Sequence, residues 1–289
     1  MEGQQNTLIL LCEDSLEGIF TGVYEAYALR RPLSEIRLQA GEETTYRLFS
    51  EYRHVAPDAG KTEKVVRTLQ RRFGMKDYEI LCLALSSGDE DKAQAIFGTV
   101  AWGLKNGRRG GILSHLTNPD VHRVMEMSRY AHNEMHHLLG FLRFQEIEGG
   151  ILYAAIAPQN HVLPFLAEHF SDRFPMENFL IHDERRDMYA IHPAGKAWFL
   201  VAGDLGRGAD AGGAGSARVD IAGESACGED TARENVAGGA ALTAEEEYYQ
   251  ELFCCFCHKI SIKERKNLNL QRNLLPLHFR KYMVEFAEK

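Results

Sequence analysis

No stretch of this 289-residue chain approaches the roughly 20 consecutive apolar residues that a membrane-spanning helix needs. Cysteine is sparse too: six residues in a chain of this length cannot form a disulfide scaffold. The opening MEGQQNTLILLCED lacks the charge pattern and small-residue cleavage site of a signal peptide, so a cytoplasmic protein with reduced thiols is expected. Glycine-rich phosphate cradles are also missing. The turn after the first apolar run reads CEDSLEG, and no Walker or dinucleotide loop occurs elsewhere. There is no G-x-S-x-G elbow, no readable serine–histidine–acid triad and no C-x-x-C-x-x-C cluster motif. These absences remove nucleotide-loop, serine-hydrolase and iron–sulfur chemistry from the first rank.

Bulk composition is that of an ordinary globular chain, 45% hydrophobic and 26% charged. The net charge of −8 says little about partners, because residues 203–247 alone carry ten acidic residues against three arginines. Outside them the chain holds 30 basic and 31 acidic residues and is close to neutral. The stretch from His258 onward is basic, with Lys259, Lys263, Arg265, Lys266, Arg272, Arg280, Lys281 and Lys289 against Glu264, Glu285 and Glu288. Local charge therefore permits a nucleic-acid partner without demanding one.

Patterning predicts a mixed α+β chain. Thr7–Cys12 has strand character, and residues 15–30 follow as an amphipathic helix with Asp14 as its N-cap. Glu35–Gln39 and Leu48–Val55 read as weaker strands. Residues 62–107 read as helices throughout, with Thr62 as a cap. Asn118-Pro119 starts a helix that should run to about Leu139, with Gly140 on its C-terminal side. Phe141–Ile147 and Ile151–Ala157 then form a hairpin across Glu148-Gly149-Gly150, and Leu163–Phe170 is a short helix. Phe179–His182, Met188–His192 and Ala197–Val201 complete an expected antiparallel sheet with flanking helices. Three segments follow from this: a body over 1–202, a disordered Gly/Ala-rich acidic linker over 203–243, and a helical 244–289 that packs back on the body. Within the last, Glu245–Ile260, Leu268–Leu275 and Leu277–Phe286 are the expected helices.

Seven of the twelve histidines fall between Val121 and Arg186, and histidine changes charge near neutrality. His132 and His136 project from one helical face, but the intervening Glu134 stands at the third position, where neither zinc-protease motif has it. A third metal ligand would have to come from His169, His182 or Asp183. Cys254-Cys255-Phe256-Cys257-His258 satisfies C-x-x-C-H, yet the cysteines lie in the apolar pattern of a helix and read as small hydrophobes. Arg143, set in the hairpin strand between Leu142 and Phe144, and Arg173, Arg185 and Arg186 are forks suited either to phosphate or to internal carboxylates. Asp172, Asp183 and Glu184 are the obvious internal partners. The paired arginines of NGRRGG (106–111) are a lesser phosphate candidate.

The segment GFLRFQEIEGGILYAAIAPQNHVLPFLAEHFSDRFPMENFLIHDERRDMYAIH resembles a bacterial family labelled as DNA metabolism or DNA repair proteins. The likeness extends to ILLCEDSLEGIFTGVYEAY and to RKNLNLQRNLLPLHFRKYMVEF. Related domains occur beside uracil-DNA-glycosylase-like domains, and the stand-alone family is associated with a radical SAM protein of DNA modification or repair. The resemblance implies a nucleic-acid-directed role with an iron–sulfur partner encoded elsewhere, and no cofactor on this chain. It marks Glu134, His136, Arg143, His169, Arg173, His182, Asp183, Arg185 and Arg186 as signature residues. Three readings follow. In the first, Arg143, Arg173, Arg185 and Arg186 hold nucleic acid while Glu134, His136, His169 and Asp183 line a catalytic pocket beside His182. In the second, the chain is an interaction protein that docks the radical SAM enzyme, and its signature residues are a salt-bridge network. In the third, it is a metal-dependent phosphodiester hydrolase.

Overall fold

A computed structural model describes residues 7–41, 48–106, 111–203, 242–260, 271–272 and 274–286. The expected linker lies almost wholly outside these residues, as do Arg108, Arg109 and half of Leu268–Leu275. The chain divides into two compact units, Met1–Glu134 with Gln159–His161, and Met135–Pro158 with Val162–Lys289.

In the first unit, β1 (Thr7–Cys12) is the centre of a three-stranded parallel sheet, flanked by β2 (Ile36–Ala40) and β3 (Ser50–Val55). Four of the six residues of β1 are Leu or Ile, and a strand buried on both faces has no use for polar alternation. Helix α1 (Leu16–Ala28) begins at Ser15, whose hydroxyl accepts the Gly18 amide; the cap is thus one residue later than the expected Asp14. Helices α2 (Ala59–Phe73), α3 (Met75–Leu85) and α4 (Lys92–Asn106) fill the predicted helical stretch. The cap of α2 is Asp58, accepting from Lys61 N, while Thr62 is buried and bonded to Glu17 O and Thr21. Helix α5 (Pro119–Phe141) starts as predicted, with Asn118 Oδ1 accepting from the Asp120 and Val121 amides. Phe20, Phe73, Phe97, Leu10 and Ile19 form the centre of this unit's core.

The second unit holds a five-stranded sheet in the order β4 (Gln145–Ile147), β5 (Ile151–Ile156), β6 (Phe179–Asp183), β7 (Met188–His192), β8 (Phe199–Ala202). This sheet is mixed, not antiparallel throughout: β5 and β6 run parallel. The physical reason is the connection, which carries α6 (Leu163–Arg173) and is long enough for the crossover that parallel neighbours require. α6 buries Leu163, Leu166, Ala167 and Phe170 in a core with Phe179, Ile181 and Ala190. A second correction concerns α5, which continues through Gly140 to Phe141, so that Arg143 lies between helix and strand, outside the hairpin. The tail supplies α7 (Ala244–Ile260) and the single turn α8 (Leu277–Arg280), followed by a 3₁₀ turn at Val284–Phe286 where one helix was expected. Phe279 of α8 is buried in the unit's core, with its ring centroid 5.4 Å from Phe141. None of the described helices is long and apolar enough to cross a membrane.

Candidate functional site

The signature residues fall into two places. Glu134 belongs to the first unit, near the C-terminal end of its part of α5. Its carboxylate accepts the Gln159 amide at 2.7 Å, the Asn160 amide at 2.8 Å and the Asn160 side-chain amide at 2.6 Å. Asn160 is itself buried, and its side-chain oxygen accepts the Gly88 amide at 3.3 Å. The His161 amide donates to Ser86 O at 2.7 Å. The α3–α4 loop that receives these bonds is tied further: Lys92, 5% exposed, donates to Ser87 O and pairs with Asp14, and Arg123 pairs with Asp89. Glu134 is thus the fastening of a short segment that in turn fastens a loop.

The rest lie in the second unit, most closely grouped along the edge where β6 turns into β7. Asp183, the last residue of β6, is fully buried. One of its oxygens accepts the Arg185 and Arg186 amides at 3.0 and 3.3 Å, and the other pairs with the Arg186 guanidinium at 3.1 Å. Arg186 also donates to Pro158 O at 3.1 Å. Asp187 completes the turn with φ +50°, in the left-handed region that Asp tolerates better than most residues. Its carboxylate stands 3.6 Å from His182 Nε2, beyond hydrogen-bond length. The other ring nitrogen of His182 faces the Tyr153 hydroxyl at 3.2 Å, and the ring stacks on Tyr189 with centroids 4.2 Å apart.

Arg143 pairs with Glu285 at 3.1 Å and donates to Gly140 O and Leu142 O. Arg173, at the end of α6, lies over the Phe174 ring at 5.7 Å, and His169 on the same helix is exposed with its ring edge to Phe170. His136 and Arg185 are exposed. Among the described residues no three His, Cys, Asp or Glu side chains gather as a metal site, so neither His169, His182 nor Asp183 supplies the third ligand that the His132/His136 spacing would need. Cys254 and Cys257 sit on the half-buried side of α7, and Cys255 on its exposed side.

Sequence reasoning missed one cluster beside this turn. Glu184 accepts from Lys281 at 2.9 Å and from Tyr282 at 2.7 Å. Burial alone would raise the Glu184 carboxyl, but the bonds from Lys281 and Tyr282 outweigh it and hold the pKa below the usual glutamate range. The sequence distance of nearly a hundred residues hides this contact; the only readable signal was the basic character of the tail. Tyr153 was missed as well, and burial pushes its hydroxyl up to about 12. It is therefore a neutral hydrogen-bond partner for His182 and no phenolate nucleophile near neutrality. A raised phenol pKa makes the unfolded chain lose its proton first. Stability is therefore complete below about pH 10 and falls as pH climbs towards 12. Urea midpoints measured at about pH 9 and 11 should drop for the wild type and drop less for Tyr153→Phe.

A family model described as a domain of unknown function, DUF4130, matches residues 90–285. All nine signature residues lie inside that span. No curated protein matches the chain. Among solved structures, a DHH domain described as a member of a family of ribosomal proteins matches at 10% identity and a TM-score of 0.29, covering 65% of this chain and 74% of that one.

Proposed function

We propose a role in DNA repair or DNA modification for this chain, which belongs to the DUF4130 family, as a non-catalytic partner of a radical SAM enzyme. One observation carries the non-catalytic part. The two carboxylates best suited to be a general base, Glu134 and Asp183, each already accept three hydrogen bonds from the protein itself. A general base needs an oxygen within reach of the substrate's proton. Asp183 is fully buried between two backbone N–H groups and the Arg186 guanidinium, and Glu134 is tied to two backbone amides and the Asn160 side chain, so both carboxylates are engaged in holding the chain. Arg143 and Arg186 are engaged in the same way, by Glu285 and Asp183. The DNA-directed part rests on the resemblance of the sequence to DNA metabolism proteins, and a cytoplasmic location belongs to the same proposal.

Direct contact with nucleic acid is the second reading, and it is favoured by the exposure of His136, His169, Arg173 and Arg185. The two readings separate in one pair of experiments. The proposed role expects co-elution with the radical SAM enzyme in gel filtration, and no change in the anisotropy of labelled single- or double-stranded DNA. A DNA affinity that falls steeply between about 50 and 200 mM salt, without any complex with the enzyme, would establish the second reading instead.

A further inference from the structure

Helix α7 presents its largest apolar side chains on the face opposite the one that packs on the described residues of its own unit. Tyr248, Tyr249, Leu252, Phe253 and Phe256 are 62, 60, 53, 42 and 55% exposed. The opposite face is the one that meets the unit, where Cys254 Sγ lies 3.6 Å from Val284 O. Contiguous aromatic surface of this kind marks an interaction face in most proteins that keep it.

The spacing of the residues on that face identifies the occupant. Glu245, Tyr248, Leu252, Phe256 and Lys259 follow one another at intervals of three, four, four and three, which keeps them on one side of an α-helix. The series reads the same forwards and backwards about Leu252. Apolar residues at intervals of three and four form the seam of a helix pair, with charged residues beside it setting orientation. Here the charges sit at the two ends and are opposite in sign, with Glu245 in an acidic first turn that also holds Glu246 and Glu247, and Lys259 in the last turn.

We infer that α7 pairs antiparallel with α7 of a second copy of this chain, about a two-fold axis passing at Leu252. In that arrangement Leu252 meets Leu252 of the other copy, Tyr248 meets Phe256, and Glu245 meets Lys259, each of the last two pairs occurring twice. A parallel pair would place Glu245 against Glu245 and Lys259 against Lys259. Antiparallel pairing also sets the positive end of one helix dipole beside the negative end of the other. The contact is isologous and closes at two copies. It goes beyond the proposed role and does not depend on it.

Sedimentation velocity of the full chain over a range of concentrations tests this. A concentration-dependent monomer–dimer equilibrium is expected, and Leu252→Glu should weaken it by at least about tenfold because it places two carboxylates on the axis. Glu245→Lys and Lys259→Glu should each weaken it several-fold, and the double variant Glu245→Lys/Lys259→Glu should restore it. All three positions are exposed at the helix surface, so far-UV circular dichroism should not change. A wild-type chain that stays monomeric, a dimer indifferent to Leu252→Glu, or a double variant no better than the single ones would overturn the inference. So would binding of an unrelated apolar helix at this face with no self-association.

Discussion

Asp183→Ala should lower the unfolding free energy by about 3–5 kcal/mol, the usual consequence of removing one partner from a buried ion pair. Asp183 is fully buried, and the Arg186 guanidinium beside it is mostly buried. Without the carboxylate, the guanidinium keeps its bond to Pro158 O but loses the counter-charge set against it. The Arg185 and Arg186 amides, which close the β6–β7 turn onto Asp183, lose their acceptor at the same time. Asp183→Asn keeps the shape and one acceptor but turns an amide N–H₂ towards a cation. It should fall between wild type and alanine. Arg185→Ala, by contrast, removes an exposed side chain whose backbone joins the turn, and should stay within about 0.5 kcal/mol of wild type. Chemical denaturation of the three variants reads the order directly. If Asp183→Ala unfolds at the wild-type midpoint, the carboxylate is not structural, and its reading as an acid or base in an open pocket returns.

The helices were legible in the sequence, and what was not legible has a physical explanation. Helices α1 to α6 show in the spacing of apolar residues because each buries one face, and Asn118-Pro119 announces α5 because cap geometry is local. Strand direction is different. A strand buried on both faces has the same composition whichever way its neighbour runs, so nothing in Phe179–Asp183 says that β5 is parallel to it. Phe141-Leu142-Arg143-Phe144 alternates like a strand, yet the helix continues into it. Leu142 N reaches Leu138 O, and Phe141 packs on Phe279 from a turn 138 residues away in sequence. For the signature residues, the sequence offered names but no geometry. Arg143 and Glu285, or Glu184 and Lys281, become neighbours only through the packing of the tail. Asp183 and Arg186 are the exception, three positions apart in the same turn, and the sequence already offered them as partners.

Glu134→Ala should destabilise the first unit by about 3 kcal/mol, because three hydrogen bonds to one ionised group are lost and at about 1–3 kcal/mol each cannot all be replaced by water. Asn160 is buried, so two of its donors would lose the acceptor that Glu134 gives them. Glu134→Gln should recover only part of the loss. One amide oxygen can still accept, but the N–H₂ group would point at N–H donors. The consequence should travel along the chain of contacts from Asn160 to Gly88. Amide exchange ought to accelerate at Gln159 and Asn160 and, more weakly, at Gly88, whose amide donates to the Asn160 side chain. Combined with Asn160→Ala, the two substitutions should be far from additive, since either one removes the same side-chain contact. Amides that stay as protected as before, with little coupling to Asn160, would show that these bonds do not fasten the segment. The exchange pattern therefore reads directly whether Glu134 fastens this segment.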